Sequence, residues 1–159
     1  MREQSSSVWS FLMSLSLAAF VLNWFWEMAQ MPAYTEMAEL SWWDTALTCS
    51  RAALGDAAIT LAIVGVGGLA SGNKNWGMSA KWNVFAVAGL LGGAAATAYE
   101  WHALHVGRWS YTPDMPIVPL LDVGLWPLMQ LTVLTPLALW LSQRFAVRRG
   151  VELPPDTGL

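Results

Sequence analysis

The sequence predicts an all-α integral membrane protein, a four-helix up-and-down bundle with both termini on the cytoplasmic side. Three observations predict it. Apolar residues make up 55% of the chain and charged residues 12%, about half the charged share of a soluble domain. Four segments reach the roughly 20 apolar residues that a helix needs to cross a bilayer. Lysines and arginines gather on alternate connections, as the positive-inside tendency demands. Mean hydropathy is +0.42. A length of 159 residues suits one domain, assigned to residues 1–150, with a loose tail over 151–159.

The first span is expected at about 8–31. Its start, "MREQSSSVWSFLMSLSLAAFVLNW", resembles a signal peptide. No small-x-small cleavage site follows, and hydrophobicity continues to Met31, so the segment reads as an uncleaved span. The second span is expected at about 45–70 and the third at about 82–106. The third contains Gly89-x-x-x-Gly93, a small-residue face that lets helices approach closely. The fourth is expected at about 120–145. Pro127 suits a first helical turn, and Pro136 is expected to kink the span and free a carbonyl.

Net charge is −3, which gives no reason to expect a nucleic-acid partner. The single cysteine, Cys49, excludes an internal disulfide and any Cys₄ or Cys₂His₂ zinc site. Arg2, Lys74, Lys81, Arg144, Arg148 and Arg149 fall on one side of the predicted bundle, and Arg51 and Arg108 on the other. Connections 32–44 and 107–119 are therefore expected to face the exterior.

Tryptophans number eleven. Trp24, Trp26, Trp42, Trp43, Trp101, Trp109 and Trp126 crowd the expected outer side, against Trp9, Trp76, Trp82 and Trp140 near the inner face. Two readings stand. One is an aromatic belt at the membrane interface. Belts are normally two-sided, so the other is a pocket lined by some of the outer indoles.

An ionisable side chain at the centre of a span costs at least about 2.5–3.5 kcal/mol. The positions of such groups are therefore informative. Asn23, Glu27 and Gln30 are spaced four and three apart and form one stripe on the first helix. On the second helix, Cys49, Asp56 and Thr60 share a face. Asp56 lies about 18 Å along the helix from Asp44. Arg51 is about 140° around the helix from Asp56, so it reaches a neighbouring helix or turns outward. Glu100 on the third helix and Gln130 on the fourth lie in the same half of the membrane. Three acids on three helices at comparable depth point to a polar chamber, with Glu27, Asp56 and Glu100 as candidate acid–base groups. Asn23, Gln30, Arg51, Gln130, Arg108, Trp109 and Tyr111 are its candidate ligand-binding groups. The competing reading is a hydrogen-bond network that only holds the helices together.

His102 and His105, three apart, are a candidate metal or haem contact. The competing reading is a pair of interface histidines bonded to water. Glu100 lies about 200° from His102, which keeps it out of one site with the histidines unless the helix ends there. Gly107 predicts that end. The loop beyond it carries Pro113, Pro116 and Pro119 with Arg108, Trp109 and Tyr111. It reads as a stiff aromatic lid over the chamber, or as a loop packed there for stability. Arg108 is placed to neutralise an acid or hold an anionic headgroup, or is simply exposed.

The stretches "WEMAQMPAY", "LGDAAITL", "EWHALHVGRWSY" with "MPIVP", and "GLWPLMQ" resemble a family of small bacterial four-span membrane proteins. The resemblance covers most of residues 23–145. It implies a multi-pass protein of the bacterial inner membrane and implies no reaction. A fainter similarity is to the small heterodimeric lycopene cyclases and the carotenoid hydratases. These also combine intramembrane acids with aromatic, proline-containing loops. No stretch matches their acid motifs residue by residue, so no catalytic role is transferred.

Four functions compete. The first is an intramembrane enzyme using carboxylate acid–base chemistry on an apolar or lipid substrate, an isoprenoid in its most concrete form. The second is a binding or assembly subunit that docks lipid, pigment or another chain, as homo- or hetero-oligomer, through the Gly89/Gly93 face. The third is a redox or metal module using His102 and His105 with quinone or haem. The fourth is a proton-coupled transporter. The sequence specifies no cofactor.

Overall fold

A computed structural model describes residues 2–79 and 81–148. Arg149 and the 151–159 tail expected to be loose lie outside the described residues. Four long helices, α1 (Arg2–Gln30), α2 (Trp42–Ala70), α3 (Trp82–His105) and α4 (Leu125–Arg148), pack against each other as an all-α bundle. Each contains a stretch long and apolar enough to cross a membrane, at Ser7–Ala33, Trp42–Ala70, Trp82–His105 and Leu125–Phe145.

The helix ends follow from local chemistry. α1 stops at Gln30, where Pro32 opens a short 3₁₀ turn over Met31–Ala33. α2 begins three residues earlier than expected because Ser41 caps it. The Ser41 hydroxyl accepts from the Asp44 amide at 3.2 Å and donates to the Asp44 carboxylate at 2.7 Å. Trp42 and Trp43 therefore sit on the first turn of α2, 60% and 76% exposed. α2 and α3 end alike, with Gly72 and Gly107 at φ +64° and +65°. In each, the two amides after the helix fold back onto its last turn, Asn73 to Gly68 and Arg108 to Ala103. That geometry needs a residue at ease in the left-handed region.

α4 begins at Leu125, five residues later than expected. The apolar run Pro119–Leu121 extends no helix; it forms the tip of a small antiparallel hairpin. Its strands are β1 (Ile117–Val118) and β2 (Val123–Gly124), with Val118 opposite Val123. Asp122 turns the chain at φ 54°, a conformation that Asp tolerates better than most residues. The Trp101 indole N–H donates to the Leu121 carbonyl at 2.6 Å and holds the tip against α3.

α1 lies between α2 and α4, α3 packs on α4, and α2 and α3 are the loosely joined pair. The half of the bundle nearer the termini is apolar. Phe11, Leu15, Ala19, Ile63, Ala138 and Leu139 fill it. The α2–α3 connection closes this end, with the Gln143 side-chain amide donating to the carbonyls of Gly77 and Ser79 at 3.0 and 2.9 Å.

The glycine face expected to meet another chain lies instead against α4 of the same chain. A Cβ at Gly89 would stand 2.9 Å from the Thr132 carbonyl oxygen, and one at Gly93 2.7 Å from the Thr132 hydroxyl. Thr132 O is the carbonyl that Pro136, lacking an N–H, leaves without its helical donor. α4 nevertheless runs unbroken past Pro136. The tightest approach is at Gly92, where a Cβ would collide with the Leu131 carbonyl group, its carbon at 2.8 Å.

Two alanine substitutions separate packing from propensity. Gly92→Ala places a methyl on backbone that cannot step aside and should destabilise the bundle by about 1–3 kcal/mol. Gly55→Ala on α2 meets nothing within 4 Å. It should be neutral or stabilising by up to about 1 kcal/mol. Thermal melts of the purified variants in detergent measure both, and equal melting temperatures would contradict the α3–α4 contact.

Candidate functional site

The polar stripe of α1 meets one residue of α4. Asn23, Glu27, Gln30 and Gln130 are all buried. The Gln130 side-chain nitrogen lies 3.0 Å from Asn23 Oδ1, 2.9 Å from Glu27 Oε1 and 2.8 Å from Asp56 Oδ2. The Gln30 side-chain nitrogen donates to Gln130 Oε1 at 2.9 Å. Asn23 also donates to the Ala19 carbonyl at 2.8 Å. Three helices thus supply five side chains to a single network. α2 brings Asp56 there, partly exposed and within hydrogen-bond reach of Glu27.

The network holds more acceptors than donors. A carboxamide nitrogen carries two hydrogens, yet three oxygens surround that of Gln130. Gln30 Oε1 is buried with no partner. Two carboxyl groups within hydrogen-bond reach of each other need a proton between them. A proton held by the Glu27–Asp56 pair supplies a donor that the amides cannot.

Glu100 belongs to a second group. The three acids expected to share one chamber fall into two hydrogen-bonded groups. Glu100 Oε2 accepts from the Tyr111 hydroxyl through a very short contact and from the Trp109 indole N–H at 3.3 Å. The Tyr111 oxygen accepts in turn from the Gly124 amide at 3.0 Å. Glu100 shares an electrostatic neighbourhood with Glu27 and Asp56 but no hydrogen bond.

Trp109 and Tyr111 come from the loop read as a lid, and that loop is stitched to the α1–α2 connection. Tyr34 pairs with Tyr111 as an isolated antiparallel bridge. The Thr35 amide donates to Ser110 O at 3.1 Å and the Thr112 amide to Ala33 O at 3.0 Å. Glu36 accepts from the Ser110 amide at 3.0 Å and hydroxyl at 2.8 Å. The ring of Tyr34 stands edge-on to Trp109 and tilted to Tyr111, with Met115 buried beneath. Together these segments form a cap over the acid half of the bundle. Burial, then the Glu100 carboxylate, raises the Tyr111 phenol above the usual tyrosine range. Burial and then Glu100, Glu27, Tyr111 and Asp56 do the same for Tyr34. Both therefore remain proton donors throughout the neutral range.

The remaining candidates lie elsewhere. Arg51 is exposed on α2. Arg108 neutralises no acid; it donates to the Tyr99 hydroxyl at 2.9 Å and lies over the Tyr99 and Trp109 rings. His102 and His105 are exposed on the last turn of α3. Among the described residues, no group of three or more His, Cys, Asp or Glu is arranged to hold a metal ion. Tyr34, Glu36, Ser110 and Gly124 were not anticipated as parts of the site. Tyr34 follows the proline that ends α1, and that position was its one signal.

Several tryptophans of the acid half are hydrogen-bonded struts. Trp24 donates to Ser50 at 3.1 Å and Trp26 to the Trp126 carbonyl at 3.2 Å. Trp26 and Trp126 also line a cavity of about 380 Å³ with Ala29, Gln30, Ala33 and Asp114. Compared with protein families, curated proteins and solved structures, the chain matches none.

The seam of the cap depends on pH through Glu36. Slight burial opposes its charge, but the donors of Ser110, backbone and side chain, outweigh this and lower its pKa. A folded-state pKa below the unfolded one gives stability that is present above the unfolded pKa and lost as pH falls through the folded one. Glu36→Gln should therefore melt below the parent at neutral pH, and the gap should close once pH drops below the ordinary carboxylate range. A gap independent of pH would show that the carboxylate charge plays no part in the seam.

Proposed function

We propose that the protein is an intramembrane acid–base enzyme. It acts on an unsaturated apolar substrate, an isoprenoid chain being the best fit to a site of this kind. The observation that carries the reading is the donor-poor pair Glu27–Asp56, two carboxyl groups within hydrogen-bond reach of each other in the acid half of the bundle, beside the bridging amide of Gln130. Asp56 is partly exposed, and the α2–α3 side of the bundle is the more open one. That side gives a lipid-borne chain a route to the pair.

The chemistry is a proton transfer in each direction. The acid pair donates its proton to one carbon of a double bond, and the π electrons form the new C–H bond. The carbocation left on the neighbouring carbon faces Glu100 and the rings of Tyr34 and Trp109, which favour positive charge. Loss of a proton from an adjacent carbon to a carboxylate restores a double bond, in a new position or after ring closure. No redox partner is consumed. The distribution of lysine and arginine supports an orientation with the termini in the cytoplasm and the acid half toward the exterior.

Solvent-isotope incorporation tests this. Membranes containing the protein, supplied with an isoprenoid lipid extract in D₂O, should place deuterium on alkene-derived carbons. Glu27→Gln and Asp56→Asn should each reduce incorporation by about 10²–10⁴-fold, the usual contribution of a positioned acid or base. Both variants should still purify as folded protein. Full incorporation in both would sink the proposal.

A further inference from the structure

The acid–base reading leaves the cavity at the mouth of α1 and α4 without a role. Its walls are the indoles of Trp26 and Trp126 with Ala29 and Ala33, and Gln30 closes it toward the bundle. The single charged side chain lining it is Asp114, exposed on the cap loop. No lysine, arginine or histidine lines it. Arg108, the cation of the same loop, is committed to Tyr99 and Trp109. Aromatic faces and a carboxylate without a balancing cation favour a positively charged ligand. The volume, about 380 Å³, lies within the roughly 300–1,000 Å³ of small-molecule sites.

The surroundings decide what carries that charge. One turn below Ala29 on α1 is Phe25, and Val21 lies one turn further. On α4, Met129 and Val133 follow Trp126 at helical spacing. All four are exposed apolar side chains on the lipid-facing part of the bundle. The cavity therefore continues into an apolar strip suited to a hydrocarbon chain. Trp26 is held in place by its hydrogen bond to the Trp126 carbonyl, so the two walls are joined.

We propose that this cavity binds the ammonium head of a membrane amphiphile. The head sits between the two indoles beside Asp114, and the chain lies along Phe25, Met129 and Val133. The site stands apart from the Glu27–Asp56 proton chemistry and does not require it.

Titration calorimetry of the full chain in maltoside micelles, against empty micelles, tests the proposal with dodecylammonium, dodecanol and dodecyl sulfate. Dodecylammonium should bind saturably, one per chain, at least about tenfold more tightly than the other two. Asp114→Asn should remove that preference, and Trp126→Leu, a second route should the first variant misfold, should weaken it. Glu27→Gln should leave it intact, which separates this site from the acid–base reading. Equal affinity for the three amphiphiles, or an ammonium preference that survives Asp114→Asn, would overturn the proposal.

Discussion

The carboxamide of Gln130 is the group on which three helices agree. Water is absent from the bilayer core, so a polar side chain there finds a protein partner or pays heavily in solvation. Asn23 and Glu27 from α1 and Asp56 from α2 meet the Gln130 nitrogen, and Gln30 donates to its oxygen. Rotating α1 by one residue would turn the stripe away from α4, and sliding it by one turn would part Glu27 from the Gln130 amide. The network therefore sets the rotation and depth of α1 against α4. α3 is held by other means. No long polar side chain links it to Gln130; it approaches α4 closely enough for backbone to touch at Gly92. Polar reach orders one side of the bundle and small residues order the other.

Depth along each helix was legible in the sequence, and grouping was not. The spacing of Asn23, Glu27 and Gln30 marks a stripe, and that stripe is buried as a unit. Glu100 lies at similar depth, yet it faces the cap and bonds to Trp109 and Tyr111. Spacing reports where a residue stands on its own helix and says nothing of which neighbour its side chain meets. The bridge between Tyr34 and Tyr111 was illegible for a related reason. A one-residue pairing between distant loops leaves no periodicity. The start of α4 was misplaced because Leu120 and Leu121 look like span residues, although Leu120 is 96% exposed at a hairpin tip. The G-x-x-x-G pattern located the right face of α3 and missed Gly92, the tightest contact on it.

The surplus of tryptophan in the acid half has two physical origins. Trp42 and Trp43 present their rings outward at the start of α2, as interface residues do. Trp24, Trp26, Trp101 and Trp109 each use the indole N–H to tie one element to another. A large apolar ring with a single donor suits this task in lipid. The ring is stable against hydrocarbon, and the single donor reaches an oxygen of another element. The same residue type thus serves as anchor and as crosslink, and only the partner distinguishes the two.

The distance in sequence between Glu27 and Gln130, 103 residues, bears on how the chain is made. α1 carries the stripe and is synthesised before α4, which carries the amide. Until α4 emerges from the ribosome, the stripe of α1 lacks the amide that bridges it, and Glu27 meets only the Asp56 carboxyl of α2. The newborn hairpin of α1 and α2 must wait near water, or beside an insertion factor able to shield its acids. Ribosome-bound chains cut short before residue 125 would retain that dependence permanently. Completion of this bundle consequently waits on its fourth helix, and an incomplete chain carries a simple chemical flag: two carboxyl groups facing each other without their bridging amide.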